Sequence, residues 1–284
     1  MTLASRSVST APAQAPHALT RLLAAGRPAV MGILNVTPDS FSDGGQFIDP
    51  QVALAHARQM VEDGADVLDI GAESTRPYGG ATPVSRDDEL ARLSPVLPEA
   101  VALGVPISID TIKAEVAAWA LDRGASIIND VWGLQRDPGM APLVARRGVP
   151  IIIMHNRESV DPALDIMADI AAFFERSLAI AERAGISRDR IVLDPGIGFG
   201  KTPEQSMTAI ARLDRLKAFG LPLLVGASRK RFIATVTPSE PRQRLGGSIA
   251  AHLLAVQSGA AIIRTHDVAE TVQALHVAAA IGEA

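Results

Sequence analysis

From residue 29 onward the chain repeats one pattern: a short apolar run, a loop of polar residues and glycine, then a longer segment whose apolar positions recur at helical spacing. The apolar runs are Ala29–Leu34, Asp66–Ile70, Pro106–Ile109, Ser126–Ile128, Pro150–Met154, Arg190–Leu193, Leu221–Val225 and Ala260–Ile263. None alternates polar with apolar, so each predicts a strand buried on both faces, as in a parallel sheet covered by helices. Gly64, Gly104, Gly124, Gly148, Gly220 and Gly259 stand just ahead of six of the runs, where a glycine at positive φ ends a helix. Eight such units match an α/β fold, a single closed (β/α)8 TIM barrel of about 250 residues, with an open doubly wound sheet as the alternative.

The polar residues at the end of each run favour the barrel. These strand ends carry Asn35, Asp69, Asp110, Asn129 with Asp130, His155, Asp194, Ser228 through Lys230, and Arg264 with His266. A barrel gathers eight such ends on one rim, where the active sites of this fold sit. The first residues, rich in Ala, Ser, Thr and Pro, have neither period and predict a flexible extension over 1–18 ahead of a barrel domain over 19–284. Ser, Thr and Pro interrupt every apolar stretch a signal peptide would need, which leaves a transit peptide as the alternative.

Composition narrows the chemistry. The 284 residues include no cysteine, so disulfide scaffolds, Cys-ligated zinc and thiol redox chemistry are excluded. Only 4% are aromatic against 48% hydrophobic, so the core is aliphatic. A net charge of −4 lacks the broad cationic field that nucleic-acid binding uses. No apolar run approaches the roughly 18–20 residues that span a bilayer, and a soluble cytoplasmic protein is expected.

The rim motifs suggest anion and flat-ring recognition. Asp194-Pro-Gly-Ile-Gly-Phe-Gly-Lys201 fails the spacing of both the P-loop and the dinucleotide fingerprint. Its glycines allow a tight turn against a flat ligand, with Asp194 and Phe199 facing it, or a turn in which Asp194 merely caps. Asn35 opens a long polar loop through Gly45, and its amide oxygen suits Mg²⁺, though an Asn before a turn is also a common structural choice. Arg76 offers a planar fork for an anion or an ordinary surface residue. Ser228-Arg229-Lys230 and Arg264-Thr265-His266 bring cations to strands seven and eight, which in such barrels often build a phosphate site; Asp267 reads best as the cap of the last helix. His56, His252 and His276 lie in helical segments and are expected to pack or face solvent.

Together these segments resemble the dihydropteroate synthase family. The resemblance rests on Gly32 through Gly45, Gly71-Ala-Glu-Ser-Thr-Arg-Pro77, Ser108-Ile-Asp-Thr111, Ile128-Asn-Asp130, Met154-His155, Asp194 through Lys201, Gly226-Ala-Ser-Arg-Lys230 and Arg264 through Val268, in family order. It implies a pterin-binding barrel that condenses 6-hydroxymethyl-7,8-dihydropterin pyrophosphate with p-aminobenzoate. The resemblance implies that Asp110, Asn129, Met154, Asp194 and Lys230 hold the pterin. Asn35, Arg76, Arg264, Thr265 and His266 would hold the pyrophosphate, with Mg²⁺ as cofactor on Asn35. Thr75, Pro77, Phe199, Ser228, Arg229 and Lys230 would form the p-aminobenzoate site. Asp110, Lys230, Asn35, Arg264 and His266 would carry the catalysis, sulfonamides would be inhibitors, and the Ala- and Leu-rich C-terminal helices would supply a homodimer face. After Met154-His155 the chain departs from many relatives, reading Asn156-Arg157-Glu158-Ser159, so His155 and Asn156 stay unassigned. A methyltransferase domain of the same barrel type would keep Asp110, Asn129 and Asp194 but has no use for the Asn35 loop and the strand-seven and strand-eight cations. A non-catalytic pterin-binding paralogue is the third reading.

Overall fold

A computed structural model describes residues 17–37, 49–73 and 84–283 of the chain. Eight parallel strands close into a barrel in sequence order: β1 Ala29–Asn35, β2 Val67–Gly71, β3 Ile107–Asp110, β4 Ile127–Asp130, β5 Ile151–Met154, β6 Ile191–Asp194, β7 Leu223–Val225 and β8 Ala260–Thr265. Helices lie between successive strands, the longest being Ile166–Ala184. Six strands run beyond the predicted apolar runs, ending in Asn35, Gly71, Asp110, Asp130, Asp194 and Thr265. Their terminal polar groups are therefore fixed by the ladder itself, not by loops. The glycines ahead of the strands act as expected, Gly148 and Gly220 ending their helices at φ of 60° and 63°.

The two faces of each strand divide cleanly. Val30, Leu34, Leu68, Ile70, Ile109, Ile128, Ile153, Leu193, Val225 and Ile263 point outward into the layer between sheet and helices. Met31, Val67, Ile127, Ile152, Val192, Leu224 and Ile262 point inward and fill the lower barrel, where Ala18, Leu19 and Leu22 of the short helix Ala18–Leu23 close the floor. Ala18, which the expected boundary assigned to the extension, is buried. Two residues further along each strand, the same inward period delivers Asp69, Asn129, Met154, Asp194, Gly226 and Arg264 to the upper barrel, and β3 adds Ser108 and Asp110. The segments Ala53–Met60 and Ile249–Val256 lie in the helices Pro50–Glu62 and Leu245–Gln257, as the pattern predicts.

Candidate active site

The upper barrel interior holds charge where a soluble fold usually keeps hydrocarbon. Asp69 is fully buried and accepts from Arg264 Nε at 2.6 Å and from Asn129 Nδ2 at 3.0 Å. Arg264 Nη2 also donates to Asp110 Oδ2 at 3.0 Å, so one guanidinium ties two buried carboxylates together. The bond to Asp69 fixes the Asn129 amide with its oxygen away from Asp69. Asn129 Oδ1, Asp110 Oδ1, Asp69 Oδ1 and Ser108 Oγ are buried without a hydrogen-bond partner among the described residues. Each unsatisfied buried group costs about 1–3 kcal/mol, against a net stability of about 5–15 kcal/mol for a domain, so four together mark a place built to meet donors from elsewhere. Burial pushes the Asp110 carboxyl up to about 7, against the pull of Arg264 and with the push of Asp69. Gly71 faces this space: a Cβ there would lie 3.6 Å from Asp110 Oδ2 and 3.7 Å from Asn35 Oδ1, so its absence keeps a gap between them.

Asp194 closes the site at β6. Its Oδ1 accepts from Gly196 N–H at 2.7 Å, as the turn-cap reading expects. Burial raises it to about 6, opposed by the Gly196 bond and by Lys230, Arg264 and Lys201. Met154, Phe199 and Val131, with Ile112 and Trp132 against them, form a small apolar wall apart from the main core. Lys230 Nζ stands 4.1 Å from the centre of the Phe199 ring, within cation–π range. The structure thus places Asp110, Asn129, Met154, Asp194 and Arg264 at the upper ends of β3 to β6 and β8, with Phe199 and Lys230 on the loops after β6 and β7.

The strand-seven and strand-eight residues divide. Ser228 Oγ and His266 Nδ1 are 3.0 Å apart, and His266 N–H donates to the same hydroxyl at 3.2 Å, which couples the two segments. Arg229, at φ 57°, gives its guanidinium to Asp267 through Nε at 3.1 Å and through Nη2. Asp267 stands before the last helix, but its carboxylate makes no capping bond because that pair holds it; the expected capping role is corrected on this point. Thr265 faces outward and is fully buried; its hydroxyl accepts from Asp267 N–H and from Thr271 Oγ1, so its side chain is turned away from the proposed pyrophosphate site. Asn35 ends β1 at the rim. Thr75, Arg76 and Pro77 lie outside the described residues. His252 is buried and His276 exposed, as the pattern allowed.

Sequence reasoning named several further residues in and beneath the site without giving them a role. Asp69, read as a strand end, and Ser108 sit one inward position below the ends of β2 and β3 at Gly71 and Asp110. Lys201 and His155 are fully buried beneath the Pro195–Gly200 turn, 2.6 Å apart.

Known proteins match this chain over most of its length. Pterin-binding enzymes match as a family over residues 31–266. The dihydropteroate synthase of Bacillus subtilis is 48% identical over 240 residues, 84% of this chain and 83% of its own. The Xanthomonas albilineans dihydropteroate synthase, solved with 4-aminobenzoic acid, is similar at a TM-score of 0.86 and 47% identity, over 91% of this chain and 94% of that one. The same enzyme in complex with 7,8-dihydropteroate gives 0.82 and 46%, over 91% and 95%. Among the described residues no helix is long and apolar enough to cross a membrane.

Proposed function

The chain belongs to the dihydropteroate synthase family of pterin-binding enzymes, and we propose that it joins the pterin methylene to p-aminobenzoate by ionisation first and capture second. The observation that carries this reading is the set of buried acceptors without protein donors. A pterin offers a 2-amino group and N3–H along one edge, and Asp110 Oδ1 and Asn129 Oδ1, with the buried Asp194 carboxylate, are acceptors suited to it. Met154 packs against one face of the ring, and Lys230 donates to its acceptor edge. Phe199 and Lys230 border the p-aminobenzoate ring, joined by Ser228 and by the segment bearing Thr75 and Pro77. His266 and Arg264, with Asn35 and Arg76, take the pyrophosphate.

In the first step the bond between the methylene carbon and the pyrophosphate oxygen breaks, and the leaving group keeps the electron pair. The ionised Asp110 carboxylate stabilises the resulting cation, which is delocalised into the pterin. In the second step the neutral arylamine nitrogen donates its lone pair to the methylene and then loses a proton to water. No strong base is needed, because an arylamine is already unprotonated near neutral pH.

Magnesium fits as an ion carried in with the substrate. Among the described residues no three His, Asp or Glu side chains are grouped to hold an ion, so Asn35 would add one oxygen to those of the pyrophosphate and water. When bound there it would neutralise charge developing on the leaving group.

Apolar residues on the C-terminal helices, Leu254, Val277 and Ile281, are exposed and support a second copy of this chain on that face. An Ile281→Glu variant should then shift the molar mass by light scattering from dimer towards monomer; an unchanged mass would remove this face from the interface.

The mechanism is tested by following pyrophosphate and dihydropteroate with and without Mg²⁺, and pyrophosphate alone without p-aminobenzoate. Ionisation first predicts slow pyrophosphate release in the absence of the arylamine. Release that strictly requires p-aminobenzoate would favour direct displacement.

A further inference from the structure

Lys201 is 1% exposed and lies on the inner side of the turn that carries Phe199. Its Nζ reaches the carbonyl oxygens of Gly196 at 2.9 Å and Phe199 at 3.1 Å, and His155 Nδ1 at 2.6 Å. The protonation of this set follows from its far end. Asp169 accepts from Arg157 Nη1 at 2.9 Å and faces His155 Nε2 at 2.9 Å. Although burial opposes it, the Arg157 and His155 bonds hold Asp169 below its usual range, so it is an acceptor only. His155 Nε2 therefore carries the proton, and Nδ1 is left as an acceptor. Lys201 then meets three acceptors, and only an ammonium has three N–H groups to give them. The turn is pressed onto the same structure: a Cβ on Gly196 would overlap the His155 carbonyl, and one on Gly200 would overlap Arg157.

We propose that Lys201 is a positioning residue for p-aminobenzoate, its ammonium gripping the Gly196 and Phe199 carbonyls from beneath so that the Phe199 ring is held against Lys230. His155 and Asp169 orient the ammonium and do not touch substrate. This rests on the reading of Phe199 and Lys230 as the border of the p-aminobenzoate ring. The groups facing Lys201 are His155 and Arg157 after β5, Asp169 on the helix Ile166–Ala184, Asp194 on β6 and Lys230 after β7. Burial and the nearby cations draw Lys201 down to about 7, against the pull of Asp194 and Asp169. Neutral Lys201 can no longer serve all three acceptors, so the grip loosens as pH rises.

Lys201→Met keeps an unbranched side chain one atom shorter and removes its donors. The expected result is a KM for p-aminobenzoate raised by about tenfold, with kcat and the KM for the pterin substrate changed less than about threefold. The wild-type rise of that KM between pH 6.5 and 8.5 should be absent in the variant. Equal changes in both KM values, or a KM for p-aminobenzoate within twofold of wild type, would overturn the proposal. Asp169→Asn, on a partly exposed residue, carries the same test should Lys201→Met fold poorly: a rise of about threefold in the same KM is expected, and no rise overturns the proposal. Phe199→Ala separates the two levels. If it raises this KM while the Lys201 and Asp169 variants do not, only the positioning role fails; if it too has no effect, the reading of the p-aminobenzoate site fails.

Discussion

Replacing Arg264 by alanine should damage the fold as well as the site. Arg264 is the cation shared by Asp69, whose side chain is fully buried, and Asp110, whose side chain is 6% exposed. Breaking a buried ion pair by removing one partner costs about 3–5 kcal/mol, because the remaining charge keeps its desolvation penalty. For a chain of this size each kcal/mol lowers the melting temperature by about 2–4 °C, so a drop of roughly 6–20 °C is expected. The drop should depend on pH. Burial raises Asp110 to about 7 even with Arg264 opposing it, and without Arg264 its pKa rises further. A carboxyl whose folded pKa lies above its unfolded value binds protons on folding between the two. Its penalty is absent below the unfolded value and fully present above the folded one. Circular-dichroism melts at pH 5.5 and 8.5 should therefore show the larger loss at pH 8.5. A melting temperature within 2 °C of wild type at both values, or a larger loss at pH 5.5, would refute the reasoning.

Three further outcomes rest on the same contacts. Asn129→Ala removes both the bond to Asp69 and a proposed pterin acceptor, and titration calorimetry should find pterin pyrophosphate bound about 10- to 100-fold more weakly, as loss of a buried hydrogen bond implies; unchanged affinity would take Asn129 out of the pocket. Pterin donors favour the ionised form of Asp110, so binding at pH 7 should release about half a proton, measured in buffers of different ionisation heat, and almost none at pH 8.5; proton uptake would contradict the assignment. His252 is buried with neither ring nitrogen hydrogen-bonded among the described residues, and burial draws it down to about 4. Protons then favour the unfolded chain between about 6.5 and 4, so His252→Leu should raise the melting temperature more at pH 4.5 than at pH 7; an equal change at both would show that the imidazole does not titrate there.

The barrel could be read from the sequence because its strands are buried on both faces, which writes them as unbroken apolar runs, and because the glycine caps punctuate them. The same rule hid the ends. Asp110, Asp130 and Asp194 read as polar ends just past the apolar runs, and they belong to the strands themselves, since a ladder continues through a carboxylate as readily as through an isoleucine. The family motifs located Asn129, Asp194 and Lys230, each in contact range of the site's other residues. What the sequence could not supply was partnership. That Arg264 answers Asp69 across 195 positions, that Arg229 turns to Asp267, and that Thr265 faces a helix depend on the barrel's closure and on the inward or outward phase of single residues. Lys201 looked like the end of a glycine-rich motif, and only the fold shows its ammonium buried against His155.

The central claim is that the buried acceptors at the ends of β3, β4 and β6 hold the pterin ring. Its most direct measurement is calorimetric titration of pterin pyrophosphate into wild type and Asp194→Asn, in parallel with dihydropteroate formation. The arrangement calls for tight, saturable binding and product from the wild type, with both reduced at least about tenfold in the variant. Binding of equal strength in the two proteins would contradict it.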